Sequence, residues 1–334
     1  MNARERVLAA LRRERVHPVP VGAVTQSASL AQMEALSIQW PEAHCGPAQM
    51  ARLAAGARDL LGFDMVRVPF DQTIEAGLLG AEVDLGDGAS NCSVRSHPLP
   101  FGRGSCPPPA MPDLGSGRAK TVVEAIKILR RELDGDAAVI GGMVGPFTLA
   151  CQLAGVAETV MSSLRRPESV RPMLDFAVEL GIEYARRQVE AGADAISVED
   201  MSASLDLTSP AIFRNLVLPA HQRLVAGIAA PVILHICGSN TRILDLLAET
   251  GAAALSLEAR TDLARAVAGG RCAVVGGVDP VGVLLNGKSG DVRRASLECL
   301  EAGVHILAPG CGIAPGTPTE NLLEMARVAR EWKA

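Results

Sequence analysis

Three residues of the chain have the types and spacing to bind one metal ion: His235, Cys237 and Cys311. His235 and Cys237 stand two positions apart in the apolar run at 231–238, and alternate residues of a strand point to the same side. Cys311 belongs to a second apolar run at 304–312, which lies 74 positions further on (311 − 237). One imidazole and two thiolates form a ligand set that suits zinc, and three protein ligands leave a fourth coordination position open for chemistry.

The chemistry that this ligand set favours is alkylation of a thiol. A zinc ion with two thiolate ligands is electron-rich, so it is a poor acidifier of bound water. It can still deprotonate a thiol, whose free pKa of about 8.5 leaves it mostly unreactive at neutral pH. The sequence therefore predicts thiol alkylation, with hydrolysis as the second possibility. The alternative for such residues is a core histidine with two packing cysteines.

These residues have to be positioned by the elements around them, which alternate along the chain between short apolar runs and amphipathic helical stretches. Eight runs predict buried parallel strands: 19–24, 64–69, 137–145, 193–200, 231–238, 254–258, 272–279 and 304–312. This alternation predicts an α/β fold, the TIM (β/α)₈ barrel, whose strand ends gather around one mouth. A doubly wound sheet is the alternative, although no GxGxxG follows the first run.

One stretch breaks the alternation. Residues 80–118 are rich in Gly, Pro and Ser, and we expect an irregular excursion with a short hairpin between the second and third strands. Long irregular segments in compact domains are often functional, so a lid is one role for it. Residues 1–334 are otherwise predicted to form a single barrel domain.

Composition excludes several classes of protein. The net charge of −5 argues against a general nucleic-acid binder. The chain contains no run of about 18 apolar residues and begins without an apolar signal core, so we expect a cytoplasmic protein with no membrane partner. Its cysteines should then stay reduced. Six of them are expected to be small buried residues: Cys45, Cys92, Cys106, Cys151, Cys272 and Cys299.

Two motifs carry a family resemblance: HICG around Cys237, and PGCGIAPGTPTENL around Cys311. They resemble the methylcobamide:coenzyme M methyltransferases, the zinc-dependent branch of the uroporphyrinogen decarboxylase superfamily of TIM barrels. The segments PVPVGAVTQSA, with Thr25 and Gln26, and 197–224 are similar to the same branch. The resemblance extends from about residue 3 to residue 331.

The resemblance implies that His235, Cys237 and Cys311 bind zinc and that an acceptor thiol joins the metal. It also implies a methyl-corrinoid co-substrate on a small corrinoid protein, which would dock over the barrel mouth. The decarboxylase branch normally carries an Arg-Gln-Ala-Gly-Arg-Tyr segment for its carboxylate-rich substrate. The matching segment here, VGAVTQSASLAQ, contains no arginine, which argues against decarboxylation.

Other polar residues at predicted strand ends are secondary candidates. Three carboxylates could orient His235, hold the open zinc position or form salt bridges: Asp200, Glu258 and Asp279. Four residues are candidates for substrate binding, of which the two serines could equally cap helices or form turns: Thr25, Gln26, Ser202 and Ser204.

Three alternatives to corrinoid-to-thiol transfer stay open at this point. They are methyl transfer between a corrinoid and tetrahydrofolate, decarboxylation, and a non-catalytic protein that binds zinc or a corrinoid. An intact ligand set with an open position favours the enzyme.

Overall fold

The computed structural model describes residues 1–99 and 108–333, and its parallel sheet curls into a barrel. In this described part the sheet has seven strands in the order β1-β4-β5-β6-β7-β8-β9, each parallel to the next, and β2 and β3 form a separate pair. The strands are β1 Met65–Val68, β2 Glu82–Asp84, β3 Ser93–Ser96, β4 Ala138–Val144, β5 Ala195–Glu199, β6 Val232–His235, β7 Ala254–Leu257, β8 Ala273–Val278 and β9 Ile306–Pro309. The predicted TIM barrel is confirmed.

The eighth position of the barrel differs from the prediction. The run 19–24 forms no full strand, only a parallel bridge between Val21 and Leu307. The same segment also hydrogen-bonds to the start of β1, because the amide of Asp64 donates to the Val21 carbonyl at 2.8 Å. Pro18 and Pro20 lack the amide N–H that a longer ladder would need. The barrel is therefore closed by a short stretch of backbone pairing around Val21 instead of a full strand.

Helices cover the outside of the sheet, and several of them end at a glycine. The backbone has positive φ at Gly62, Gly192, Gly251 and Gly303, the conformation that ends a helix.

In the described residues, no single helix is long and apolar enough to span a bilayer; Pro146–Ala154 and Val156–Arg165 reach that length only together, with a bend of 114°. The α-helices are Ala3–Leu11, Leu30–Leu36, Glu42–Cys45, Pro47–Asp59, Ile74–Leu78, Gly117–Leu133, Pro146–Ala154, Val156–Arg165, Pro167–Glu190, Pro210–Ile212, Leu218–Gly227, Leu244–Ala248, Leu263–Ala268, Ser289–Glu301 and Thr319–Glu331. Met201–Ala203 and Thr241–Ile243 are 3₁₀ helices, and Phe213–Val217 and Pro280–Leu285 are π-helical.

The interior of the barrel is apolar in its lower layers. Small and branched residues fill it, and the helix Ala3–Leu11 packs against them. The inward-facing strand residues are Met65, Ala138, Ile140, Ala195, Ile233, Ala254, Ala273, Val275, Ile306 and Ala308. Because side chains alternate along a strand, counting by two from these positions identifies the residues that face the interior nearer the mouth. They include Arg67, Glu199, His235 and Ser256.

The excursion at 80–118 contains the expected hairpin, formed by the antiparallel strands β2 and β3. Residues 100–107 lie outside the described residues, and Cys106 is among them. Of the other cysteines expected to be buried, Cys151, Cys272 and Cys299 are buried, but Cys92 is half-buried and Cys45 is exposed. Cys45 ends a short surface helix, where its side chain meets solvent. The assignment of 1–334 to one domain stays a prediction.

Glu75 is a buried carboxyl group at the carboxyl end of the sheet. It lies in the helix Ile74–Leu78 and accepts a hydrogen bond of 2.9 Å from the amide of Val144, the last residue of β4. Burial raises the pKa of Glu75 from its ordinary 4.5 to about 7, although the Val144 amide and Arg67 oppose the shift. The folded protein therefore binds this proton more tightly than the unfolded chain.

We expect Glu75→Gln to reduce the pH dependence of stability. Between pH 4.5 and about 7 the folded state holds a proton that the unfolded chain loses, so rising pH destabilises the wild type through this group. Glutamine keeps an acceptor for the Val144 amide and does not titrate. In denaturant titrations the variant should match the wild type near pH 5 and exceed it near pH 8 by roughly 2 kcal/mol. Parallel pH profiles for the two proteins would contradict this.

Candidate metal centre

The three predicted ligands meet at the carboxyl ends of the barrel strands. The Nε2 atom of His235 lies 3.4 Å from the Cys237 sulfur, which lies 3.8 Å from the Cys311 sulfur. One ligand atom from each side chain falls within 4.8 Å of the other two. His235 is buried and both cysteines are half-buried, so the cluster opens toward the mouth.

His235 is oriented by the neighbouring strand. It ends β6 beside Ser256 of β7, and its Nδ1 atom lies 3.2 Å from both the carbonyl and the hydroxyl oxygen of Ser256. A carbonyl can only accept, so Nδ1 carries the hydrogen and donates it. This fixes the ring so that Nε2 faces the sulfurs, as ligating histidines are usually held.

Cys237 is positioned by a sharp turn immediately beyond β6. Gly238 has φ of +85°, the left-handed conformation that favours glycine. A Cβ atom there would also lie 2.8 Å from Asp206 and 2.9 Å from Ser204. The amide of Gly238 donates to Glu258 Oε1 at 2.6 Å, which ties the turn to the end of β7.

Cys311 follows β9 after one glycine. The amide of Gly310 donates to the Val278 carbonyl at 2.8 Å, which extends the sheet by one residue. A Cβ atom at Gly310 would lie 3.0 Å from the Glu258 Cα atom, so the backbone of Gly310 packs closely against that of Glu258. At Gly312 a Cβ atom would lie 3.6 Å from Gln26, which is ordinary contact.

The spacing of these donors fits a tetrahedral zinc ion. With Zn–S bonds of about 2.3 Å and Zn–N bonds of about 2.05 Å, tetrahedral angles separate two sulfurs by about 3.75 Å and a sulfur from a nitrogen by about 3.55 Å. The structure has 3.8 Å between the sulfurs and 3.4 Å between Nε2 and the Cys237 sulfur. Three donors with an open side are typical of a catalytic rather than a structural site.

Comparison with known proteins identifies the family. The model of the uroporphyrinogen decarboxylase (URO-D) family matches residues 2–332. The chain belongs to this family. It is 37% identical over 332 residues to the methylcobamide:CoM methyltransferase MtaA of Methanosarcina barkeri, covering 98% of each protein. It is 36% identical over 343 residues to MtbA of Methanosarcina acetivorans, covering 99% of this chain and 98% of the relative.

A solved structure supports the same placement within the uroporphyrinogen decarboxylase family. A methyltransferase from Methanosarcina mazei superimposes with a TM-score of 0.94 at 37% identity, covering 99% of both chains. The resemblance of the two cysteine motifs to the methyltransferase branch of this family is therefore confirmed.

The three donors shift one another's pKa values. Burial lowers the pKa of His235, but the hydrogen bond and charge of Cys311 outweigh burial and raise that pKa. The hydrogen bond between the two thiols lowers the pKa of Cys311 and raises the pKa of Cys237. A cation that binds all three donors therefore displaces protons from His235 and Cys237, as metal binding to such ligands generally does.

Two of the three candidate carboxylates are engaged away from the metal ligands. Asp200 comes directly after β5, at a position whose side chain points away from the barrel interior. Its oxygens accept hydrogen bonds from the amides of Phe147 at 3.2 Å and Thr148 at 2.6 Å, and they lie 2.7 Å from His221 Nε2. Asp279 caps the helix Pro280–Leu285. Their catalytic roles stay predictions that this geometry does not favour. Glu258 contacts the metal site through Gly238 and pairs with the exposed Arg260 at 3.4 Å.

The substrate-binding candidates fall at different distances from the metal ligands. Gln26 touches the Cys311 loop, because its carbonyl accepts from the Ile313 amide at 2.9 Å, and its side chain donates to Asn91 of the excursion at 2.6 Å. Thr25 is buried beside it. Ser204 is buried against Gly238, next to Cys237. The amide of Ser202 donates to the Thr148 hydroxyl at 3.0 Å, so Ser202 lies on the outer side with Asp200.

Sequence reasoning missed a buried polar group inside the barrel. Glu199 is paired with His235 in the register of β5 and β6, and it forms an ion pair with Arg67 of β1. Side chains alternate along a strand, and this rule placed His235 and Cys237 on one face. Applied to β5, the same rule points Glu199 into the barrel together with Ala195 and points Asp200 outward. A second signal of a buried polar group was Arg67, the arginine in the otherwise apolar strand β1.

We expect Asp200→Ala to lower stability without changing metal content. The substitution leaves two buried amides and His221 without their acceptor, which should cost about 3 kcal/mol in the free energy of unfolding. Asp279→Ala, at a more exposed cap, is the matched control and should cost about 1 kcal/mol. Denaturant unfolding and metal analysis measure both effects. Loss of metal at unchanged stability would instead assign Asp200 to the metal centre.

Proposed function

We propose that the protein transfers a methyl group from a methyl-corrinoid to a thiol such as coenzyme M, with zinc held by His235, Cys237 and Cys311. The observation that carries the proposal is the convergence of one imidazole nitrogen and two sulfurs within 4.8 Å at the barrel mouth. The full-length similarity to methylcobamide:CoM methyltransferases supports the reaction class.

The residues of the chain prepare the acceptor side of this reaction. Ser256 orients His235 so that Nε2 faces the ion, and the turn at Gly238 and the close approach at Gly310 place the two sulfurs. Zinc bound there supplies one effect, a lowered pKa of the incoming thiol, so that the acceptor reacts as thiolate at neutral pH. A carbon–sulfur bond then forms while the carbon–cobalt bond breaks, its electron pair stays on cobalt, and the proton of the thiol passes to solvent.

Two features weigh against the alternatives. Decarboxylation of a carboxylate-rich substrate calls for cations, and the segment 21–32 has no arginine. A non-catalytic binding protein has no need of an open coordination position. Tetrahydrofolate as the partner substrate is distinguished by experiment, because it lacks a thiol.

The first test measures zinc and activity together. The purified protein should contain about one zinc ion per chain and demethylate methylcobalamin with added coenzyme M. Cys237→Ala and Cys311→Ala should each lose most of the zinc and at least about 100-fold in rate, since each removes a ligand. Cys272→Ala, at a buried cysteine away from the site, is the control and should keep both. Full zinc content in both ligand variants would refute the assignment, and activity with tetrahydrofolate but no thiol would change the acceptor.

The corrinoid should be delivered by a small protein that docks on the carboxyl-end rim. Leu207, in the segment after β5, is an apolar side chain with 46% of its surface exposed there. Leu60, 37% exposed, ends the segment before β1 and therefore lies at the opposite end of the barrel.

We expect Leu207→Glu to raise the KM for a methylated corrinoid protein by about tenfold, because it places a charge in an apolar contact. The reaction with free methylcobalamin and the zinc content should stay unchanged. Leu60→Glu, the same substitution at the far end, should change neither reaction. Equal damage to both reactions by Leu207→Glu would show that the rim is structural and that the docking proposal is wrong.

A further inference from the structure

A fully buried ion pair lies beside the metal ligands, within the barrel. Arg67 and Glu199 are each 1% exposed, and Arg67 also donates to the carbonyl of Pro69. Gln72 donates to the second oxygen of Glu199. Gly142 makes room for the guanidinium, because a Cβ atom there would lie 2.9 Å from its central carbon.

Stability alone does not account for this pair. Removing two charges from water costs several kcal/mol for each ion, and apolar replacements of similar volume are often as stable or more stable. The inward positions directly below the pair carry no charge, Met65 below Arg67 and Ser197 below Glu199, so the fold already fills its interior without charges. In addition, Arg67 Nε has no hydrogen-bond partner among the described residues, which adds to the cost.

The hydrogen bonds show which form of Glu199 the barrel holds. Both partners of its oxygens, a guanidinium and an amide NH₂, are donors only. A protonated carboxyl would direct its hydrogen at one of these donors, so the carboxylate is the form that fits. Burial raises the pKa of Glu199, and Arg67 opposes that shift most strongly.

Glu199 is close enough to act on the metal ligands. In the register of β5 and β6 it is the direct neighbour of His235, so the Cα atoms are roughly 5 Å apart and the side chains share the inward face. Its charge raises the pKa of both His235 and Cys237, and the charge of Cys311 in turn raises the pKa of Glu199. All three donors therefore respond to this carboxylate, although no hydrogen bond joins it to them in the described residues.

We infer that Glu199 is a positioning residue for the metal centre: its fixed negative charge favours a divalent cation at His235, Cys237 and Cys311, and Arg67 and Gln72 keep it ionised and hold it in place beside them. The inference rests on the zinc site of the proposed function. The pair is thus an oriented dipole with its negative end toward the cation.

The test is the affinity of the full-length protein for zinc alone, measured by competition with a chelator. Glu199→Gln should raise the dissociation constant about tenfold or more, because it removes the anion and leaves the Arg67 cation facing the ion. Ser197→Ala is the matched control, since it changes a buried, inward-facing residue of the same strand, and it should stay within twofold of wild type. A Glu199→Gln value within twofold of wild type would overturn the inference.

A second variant covers the case in which Glu199→Gln does not fold. The double change Arg67→Met and Glu199→Met leaves no orphan charge and should unfold at or above the wild-type temperature. Its zinc affinity should nevertheless fall by about threefold or more, and an unchanged affinity would mean that the pair serves only structure. Zinc that wild type binds and Cys237→Ala loses establishes the proposed site independently of either result.

Discussion

Parallel strands in a closed barrel all end at one edge, and each strand alternates its side chains between the interior and the surrounding helices. This constraint brings Cys311 to within 3.8 Å of Cys237 although 74 positions separate them in the chain (311 − 237). It also places Ser256 beside His235, because the two are paired in the register of adjacent strands. The metal ligands thus depend on a fixed phase along β6, β7 and β9, and slipping any of these strands by one residue would turn its polar side chain out of the barrel.

The barrel interior changes character between its lower layers and its mouth. Below, small and branched apolar residues pack around the helix Ala3–Leu11. Above, the polar groups around the metal ligands are held by specific partners, as His235 is by Ser256 and Glu199 is by Arg67. Buried polar groups specify one arrangement because an unmatched one is costly. Rigidity at the mouth therefore comes from hydrogen-bond geometry, and stability comes from the layers beneath it.

The sequence predicted the barrel and the three ligands because both depend on local patterns. Apolar runs mark the strands, and the spacing of His235 and Cys237 marks one face. The first strand was predicted too long, because two prolines limit its pairing to a bridge at Val21. Asp200 was selected because it ends a run of apolar residues, but its outward phase directs it to the helix Pro146–Ala154 and His221. Partners from distant strands, such as Arg67 for Glu199, become visible only when the register of the whole sheet is known.

Gly310 has a consequence for the choice of metal. A Cβ atom at Gly310 would lie only 3.0 Å from the Cα atom of Glu258, so the end of β9 packs closely against the end of β7. Cys311 is the next residue, and its sulfur moves with that backbone. An added methyl group would push the two strand ends apart and increase the distance between the two cysteine sulfurs. In the proposed centre, selectivity among ions of different radius is thus set in part by a residue that never touches the ion.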